Sequence, residues 1–184
     1  MVICAGNERP GVSERIEGVH PSAFAVSLRP EPYGSEGPRW VVAQAEAELV
    51  ARYGFLDDGE LGLTAAMFDP PAGVFVVART NNREEPVGGV GLRTVGKGKG
   101  TGTGEVRRLW VDPVWRGRGV GRELMTAIED ATCDLGLSVL RIETGDRQHE
   151  AVALYEAMGW ERILVTPEGA PLPAGWIRFR KVVG

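Results

Sequence analysis

The segment RGRGVG, from Arg116 to Gly121, lies between a strand-like run, EVRRLWV, and a helix-like run, GRELMTAIEDA. Its three glycines leave the backbone amides with little side-chain cover. At a helix N-terminus such amides have no intrahelical acceptor, and the helix dipole adds partial positive charge. The segment therefore predicts an anion site, most often for a phosphate group, and Arg118 and Arg122 add further positive charge.

Two other phosphate-binding motifs compete with this interpretation. A dinucleotide fingerprint requires G-x-G-x-x-G, but its third glycine would fall on Arg122 or Leu124. A second glycine-rich stretch is Gly96–Gly104. The residues Gly91–Lys97 that lead into it fit G-x-x-x-x-G-K, but the next residue is Gly98, where a P-loop has Ser or Thr. We interpret that stretch as a flexible hairpin loop. An enzyme that binds a nucleotide through one of these two motifs stays an alternative function.

Apolar periodicity predicts helices on both sides of the strand-like runs. The stretch WVVAQAEAELVARYG predicts a helix that ends at Gly54. After the glycines, one apolar stripe recurs at helical spacing: Leu124, Ile128, Ala131 and Leu135. A later helix has a predicted inner face of three residues: Ala151, Leu154 and Met158.

The order of these elements predicts the fold class. It runs strand, helix, hairpins, strand–loop–helix–strand, helix and hairpin, which is typical of a mixed sheet covered by helices, an α/β (α+β) domain. The first residues lack periodicity, so we expect a flexible N-terminal tail over residues 1–21 and a single domain over residues 22–184.

Composition excludes several classes of function. The formal net charge is -4, which disfavours a dedicated nucleic-acid binder. Two cysteines and two histidines are too few for a zinc or His-rich site, so we predict no metal. No apolar run is long enough to span a membrane, and the first residues turn polar too early for a secretory signal, so we expect a cytoplasmic protein without membrane contact.

Three co-ordered segments resemble the GNAT superfamily of acyl-CoA-dependent N-acyltransferases. They are EVRRLWVDPVWRGRGVGRELMTAIEDA, LRIETG and HEAVALYEAMGW. The family's signature, R/Q-x-x-G-x-G/A, fits Arg116, Gly119 and Gly121. The resemblance implies a twisted sheet of six or seven strands, in which two central parallel strands, EVRRLWV and SVLRIETG, splay apart to admit acetyl-CoA.

The resemblance also implies which residues bind this co-substrate. The backbone of the signature loop is expected to hold the pyrophosphate, and the main chain of Leu109 and Val111 to flank the pantetheine and acetyl end. Many family members have Asn where this chain has Gln148, which we expect to reach the cofactor. The full cofactor-binding set is Leu109, Val111, Arg116, Gly117, Arg118, Gly119, Val120, Gly121, Arg122 and Gln148.

Two catalytic roles follow from the resemblance. Tyr155 holds the place of the family tyrosine that protonates the leaving sulfur, and a phenol with an ordinary pKa of about 10 is protonated at neutral pH. Glu105 occupies the position of the base glutamate in the histone-acetylating branch. A glutamate that only pairs with Arg107 explains Glu105 equally well, and Glu143 is the reserve base.

The resemblance implies an N-acetyltransferase that acts on an amine by direct attack. A non-catalytic acyl-CoA-binding module is the alternative. The acceptor stays open between a small molecule and a peptide. Several residues near the first helix are acidic, among them Glu46, Glu48 and Asp57. Either a binding site for a cationic amine or a helix face exposed to solvent explains this acidic composition. Dimerisation is common in the family, so a homodimer is possible.

Overall fold

The computed structural model describes residues 26–54, 62–81, 83, 85–98, 101–165 and 171–183. The predicted tail, residues 1–21, lies outside these residues, as does Asp57. The proposed domain boundaries, 22–184, therefore stay a prediction. Within the described ranges, no helix is both long enough and apolar enough to cross a membrane.

In the described part of the chain, seven strands form one sheet in the order β1-β2-β3-β4-β5-β7-β6. The strands are β1 Val26–Pro30, β2 Gly73–Thr80, β3 Gly88–Gly98, β4 Thr101–Val111, β5 Leu137–Gly145, β6 Glu161–Ile163 and β7 Trp176–Val182. Neighbouring strands are antiparallel, except that β4 and β5 are parallel because a helix crosses between them. The predicted mixed sheet with two central parallel strands is confirmed.

Helices cover both faces of this sheet. They are α1 Glu36–Tyr53, α2 Ala65–Phe68, α3 Val120–Asp134 and α4 His149–Ala157, with a 3-10 turn at Pro113–Trp115. Gly54 ends α1 in the left-handed conformation, at the predicted position. The helix begins earlier than the apolar pattern indicated, because Pro38 lies in its first turn, where a missing N–H removes no helical bond.

Two apolar clusters hold the helices to the sheet. On one face, Leu124 and Ile128 of α3 are fully buried in the larger cluster, together with Val106 of β4. On the other face, Val41 of α1 packs in a smaller cluster with aromatic residues that include Trp110 of β4. Strand β4 therefore contributes side chains to both cores.

The structure corrects two details of the sequence interpretation. The buried residues of α4 are Val152 and Tyr155, whereas the predicted inner-face residues Ala151 and Leu154 are only partly buried. The stretch Gly96–Gly104 contributes to paired strands rather than to a loop alone, since β3 runs to residue 98 and β4 begins at residue 101. Glycine permits this pairing, and only the turn between the two strands lies outside the described residues.

The parallel strands separate beyond the middle of the sheet. Their last register pair is Val106 of β4 with Ile142 of β5. Beyond that pair, β5 stays bonded to β7 as far as Gly145. The two strands thus form a fork, and the open end of this fork lies beside α3 and α4.

Candidate active site

A single cavity of about 600 Å³ occupies the open end of the fork. Its walls come from β4, the glycine loop, the start of α3, the end of β5, α4 and the last turns of α1. Because β4 and β5 no longer bond to each other here, their backbone groups face the cavity instead of a neighbouring strand.

A β-bulge in β4 helps to open this fork. Arg108 and Leu109 lie opposite the single residue Val90 of β3, and Arg108 has a positive φ of 58°. A non-glycine residue in this conformation costs on the order of 1–3 kcal/mol, so its surroundings must hold it. The buried Arg108 side chain donates to Glu46 of α1 at 2.9 Å, which fixes the bulge against the helix above it.

The glycine loop has the backbone that its sequence requires. Gly117 and Gly119 both have left-handed φ values, 71° and 92°. Gly121 is needed for space, since a Cβ there would lie 3.2 Å from the Leu154 side chain of α4. The three glycines therefore shape the turn and allow α3 and α4 to approach each other.

The start of α3 presents amides to the cavity. The first helical bond runs from Glu123 N–H to the Gly119 carbonyl. The amides of Val120, Gly121 and Arg122 precede that bond and have no partner within the helix. All three residues line the cavity, so the arrangement suits a phosphate or diphosphate group.

A network of ion pairs joins the loop to two helices at the mouth of the cavity. Arg116 contacts Glu48 of α1 at 2.5 Å and Glu150 of α4 at 3.3 Å. Arg52 of α1 contacts the same two carboxylates, Glu48 at 2.5 Å and Glu150 at a shorter distance. Arg116 also donates to the Val111 carbonyl at 2.9 Å, which anchors the network to the end of β4.

These pairs lower the pKa of both carboxyl groups. Burial alone raises the pKa of Glu48, but hydrogen bonds from Arg116 and Arg52 outweigh it and hold the pKa below its ordinary value. For Glu150, the hydrogen bond from Arg52 is the main cause of a lowered pKa. Both carboxylates are therefore charged at neutral pH, and they hold Arg116 beside the glycine loop.

Tyr155 of α4 also lines the cavity, and its surroundings are apolar. Its ring packs against Trp160 and Phe179, with centroid distances of 5.9 and 5.4 Å. The side chain is almost fully buried, and burial raises the pKa of its phenol. Because the residue also lines the cavity, it offers a hydroxyl that stays protonated throughout the physiological range.

The structure does not bring Glu105 to the cavity. Its side chain is 4% exposed and lies among three guanidinium groups, those of Arg93, Arg107 and Arg141. Burial alone raises the pKa of Glu105, but the charges of these arginines outweigh it, so the pKa is lowered. The predicted base role gains no support from this position, because Glu105 does not line the cavity.

Glu143 does line the cavity, on β5 just beyond the fork. Arg178 of β7 donates to its Oε1 atom, with Nε at 2.6 Å. The reserve base of the sequence analysis is thus the carboxylate that the fold places beside the open strands.

The structure assembles most of the predicted site around one cavity. The predicted residues that line it are Leu109, Val111, Arg116, Gly117, Gly119, Val120, Gly121, Arg122, Gln148 and Tyr155. Arg118 is not among them, because its guanidinium stacks on Trp115 at 5.5 Å. Gln148 precedes the first turn of α4, where its carbonyl accepts from the amide of Val152.

Sequence reasoning missed the ion-pair network. Glu48 and Arg52 are four residues apart, so helical spacing could have shown that they pair. Their contacts with Arg116 and Glu150 join residues far apart in the chain, and no local pattern indicates them.

Comparisons with known proteins point to one family. A model of the acetyltransferase (GNAT) family matches residues 44–160. An IAA acetyltransferase from Azospirillum brasilense is 40% identical over 86 residues, which are 47% of this chain and 53% of that protein. The chain spans about half the length of the curated relatives that it matches.

Solved structures share the fold at low sequence identity. An acetyltransferase of the GNAT family from Staphylococcus aureus has a TM-score of 0.69 and 15% identity, over 87% of this chain and 100% of that one. Arabidopsis thaliana NAA60, solved in complex with acetyl-CoA, has a TM-score of 0.60 and 14% identity, over 86% of this chain and 99% of that one.

The ion-pair network makes a prediction about acid stability. Carboxylates with a lowered pKa stabilise the fold above their unfolded pKa, about 4.3, and this contribution is lost as the pH falls through the folded value. We expect the Glu48→Gln/Glu150→Gln variant to be less stable than wild type by about 1 kcal/mol at pH 7, since the pairs are partly exposed. Urea unfolding should show the difference shrinking below about pH 4.

The matched control is Glu85→Gln, at an exposed glutamate away from the cavity. Its free energy of unfolding should change with pH as that of the wild type does. A double variant whose deficit stays constant down to pH 3 would contradict the assigned role of these carboxylates.

Proposed function

The chain belongs to the GNAT acetyltransferase family, and from that membership we propose that it is an N-acetyltransferase that moves the acetyl group of acetyl-CoA to an amine. The observation that carries the proposal is the meeting of three features at one cavity. They are the amide-rich start of α3, the open fork of β4 and β5, and the protonated phenol of Tyr155.

The residues present fit acetyl-CoA. The left-handed glycines leave a cradle at the start of α3, since a Cβ at Gly117 would meet nothing within 4 Å. We propose that this cradle holds the diphosphate, and that main-chain groups of Leu109 and Val111 hold the pantetheine. Gln148, which directly precedes α4, lines the same cavity. The complex of NAA60 with acetyl-CoA shows that a protein of this fold accepts the same co-substrate.

Acetyl-CoA supplies an acetyl thioester, and the protein has three tasks in its transfer. The incoming amine must lose a proton, negative charge on the carbonyl oxygen must be stabilised, and the leaving thiolate must gain a proton. We assign the second task to backbone amides of β4 after the bulge, because Leu109 and Val111 line the cavity where β5 no longer bonds to β4.

Tyr155 takes the role of general acid in this proposal. Its raised pKa makes it a poor acid in water, but it keeps the proton available at every working pH. Apolar neighbours position the ring without competing for its hydroxyl, since Trp160 and Phe179 contact it through their aromatic faces and edges.

Glu143 takes the role of general base in preference to Glu105. It lies at the cavity, at the position that follows Ile142, the last residue of β5 that is paired with β4. Glu105 instead lies outside the cavity, where it pairs with three partly buried arginines. Proton removal can run directly or through a water molecule.

The activity is tested by offering the protein acetyl-CoA and a library of amines, with products read by mass and free CoA read by a thiol reagent. We expect at least one amine to gain an acetyl group. Tight binding of acetyl-CoA with no acetylated product would favour a non-catalytic binding module instead.

The first prediction concerns the glycine cradle. Gly119→Glu places a bulky, negative side chain at a left-handed position beside the phosphate site, so we expect acetyl-CoA affinity to fall at least about tenfold by calorimetry. The matched control is Gly136→Glu, because Gly136 has a similar φ of 67° at the other end of α3. Equal losses in both variants would show that strain, not the phosphate site, is responsible.

The second prediction concerns Tyr155. Tyr155→Phe keeps the buried ring and removes the acid, so we expect kcat to fall about 100-fold with little change in acetyl-CoA affinity or melting temperature. Because the phenol pKa is raised, wild-type activity should show no alkaline loss up to about pH 9. A Tyr155→Phe variant with full kcat would remove this residue from the mechanism.

The third prediction separates the two candidate bases. Glu143→Gln should lower kcat about 100-fold and abolish the acidic limb of the pH–rate profile. Glu105→Gln should lower the melting temperature, because it leaves three arginines without their shared carboxylate, but it should keep the acidic limb. The reverse pattern would assign the base to Glu105.

A further inference from the structure

The cavity has an inner end where the two parallel strands of the fork rejoin. Val106 of β4 and Ile142 of β5 are the last pair that these strands form, and both residues line the cavity. Their exposed fractions are nevertheless only 0% and 3%, so the cavity is narrow where it meets them. The two side chains therefore close the cavity at the end opposite to the open end of the fork.

The inner end is apolar on the face of the sheet that α3 covers. Val106 and Ile142 belong to the larger apolar cluster, as does Tyr155 of α4. Leu109, which follows the bulge on β4, packs against the same cluster. All four residues line the cavity. Strands β4 and β5 and helix α4 thus enclose a pocket that suits a small apolar group, because a polar group would lose its hydrogen bonds to water there.

The core is closed directly behind this strand pair. Gly104 and Leu140 form a register pair two residues further from the open end, on the same face as Val106 and Ile142. A Cβ at Gly104 would lie 2.8 Å from the Leu92 side chain and 2.9 Å from the Leu140 side chain, and both leucines are fully buried. An ordinary carbon contact is about 3.5 Å or longer, so the core has no room for an added methyl group at this point.

The proposed position of acetyl-CoA directs its acyl group to the inner end. With the diphosphate at the start of α3, the pantetheine passes Val111 and then Leu109 of β4 in the direction of the last strand pair. Tyr155, the proposed proton donor to the sulfur, is also a wall of the inner end. The acyl chain continues beyond the sulfur, so it is the part of the co-substrate that meets Val106 and Ile142.

We propose that Val106 and Ile142 limit the transferred acyl group to the size of an acetyl group. The inference rests on the proposed N-acetyltransferase function and adds the range of acyl donors. Each further methylene would displace a side chain of a closed core, which is unfavourable because the neighbouring side chains must leave their preferred rotamers. The limit acts on the donor and does not depend on which amine accepts the acyl group.

The test compares acetyl-CoA, propionyl-CoA and butyryl-CoA as donors to one amine that the protein accepts. One methylene in an apolar pocket changes kcat/KM about 10- to 200-fold. We therefore expect a preference for acetyl-CoA of at least about tenfold over propionyl-CoA and at least about 100-fold over butyryl-CoA. Calorimetry gives a second readout that needs no amine. Free CoA, which carries no acyl group, should bind about tenfold more tightly than butyryl-CoA.

Variants at the inner end identify the residues responsible. Val106→Ala removes two methyl groups from the inner end, so it should reduce the preference for acetyl-CoA over butyryl-CoA at least about tenfold. It should also bring the affinities for CoA and butyryl-CoA close together. Ile142→Val removes one methyl group from the facing strand and costs less stability, so it should shift both readouts in the same direction by a smaller factor.

The matched control is Val76→Ala. Val76 is a fully buried valine of the same cluster, but it lies on β2 and does not line the cavity. This variant should lower the melting temperature much as Val106→Ala does, because both remove the same atoms from the core. It should leave the donor preference and the ratio of the two affinities unchanged.

Three results would overturn the inference. They are a wild type that uses butyryl-CoA as efficiently as acetyl-CoA, wild-type binding of butyryl-CoA at least as tight as that of CoA, and equal shifts of both readouts in Val106→Ala and Val76→Ala. In each case transfer of an acyl group to an amine still stands. If no amine gains an acyl group from any donor, the proposed function fails, and the calorimetric comparison still decides whether the inner end limits the acyl group.

Discussion

The separation of β4 from β5 beyond Val106 and Ile142 is the constraint on which the rest of the site depends. A parallel pair in the middle of a sheet normally continues to bond along its length, because unpaired backbone groups are costly when buried. Here the bulge at Arg108 turns β4 away, and the ion pair with Glu46 holds that strained residue in place. The result is a gap between two central strands of a well-packed sheet. An extended ligand with polar groups can lie in this gap and bond to the strand backbone.

Ion pairs surround this gap. At its mouth, Arg116 and Arg52 are balanced by Glu48 and Glu150, so the glycine loop is tied to both flanking helices without a strong net charge. Further along the same strands, Glu143 pairs with Arg178, and Glu105 pairs with Arg93, Arg107 and Arg141. Tyr155 lies on the remaining wall among aromatic rings. One cavity thus combines the amides at the start of α3 with a wall on which the phenol of Tyr155 lies among aromatic rings.

Local patterns predicted the parts of this protein that depend on neighbouring residues. The glycines predicted amides with little side-chain cover at the start of α3, and the stripe of Leu124 and Ile128 defined the buried face of that helix. The resemblance added Tyr155, which the fold brings to the cavity. The sequence left open whether Glu105 is a base or pairs with Arg107, and the structure shows that pair. The contacts of Glu105 with Arg93 and Arg141 could not be predicted, because they depend on the register of three strands. The inner face of α4 was only partly predicted, since Ala151, Leu154 and Met158 are partly buried against the larger cluster but Val152 and Tyr155 are the buried residues.

The account depends most on the amides at the start of α3 as the binding site of coenzyme A. The direct measurement is an NMR titration of isotope-labelled protein with CoA, followed at the backbone amides of Val120, Gly121 and Arg122. We predict that these amides shift most strongly, with Leu109 and Val111 next, and that Gly96 and its neighbours in the other glycine-rich stretch do not respond. Strong shifts at Gly96 with none at the start of α3 would contradict the account.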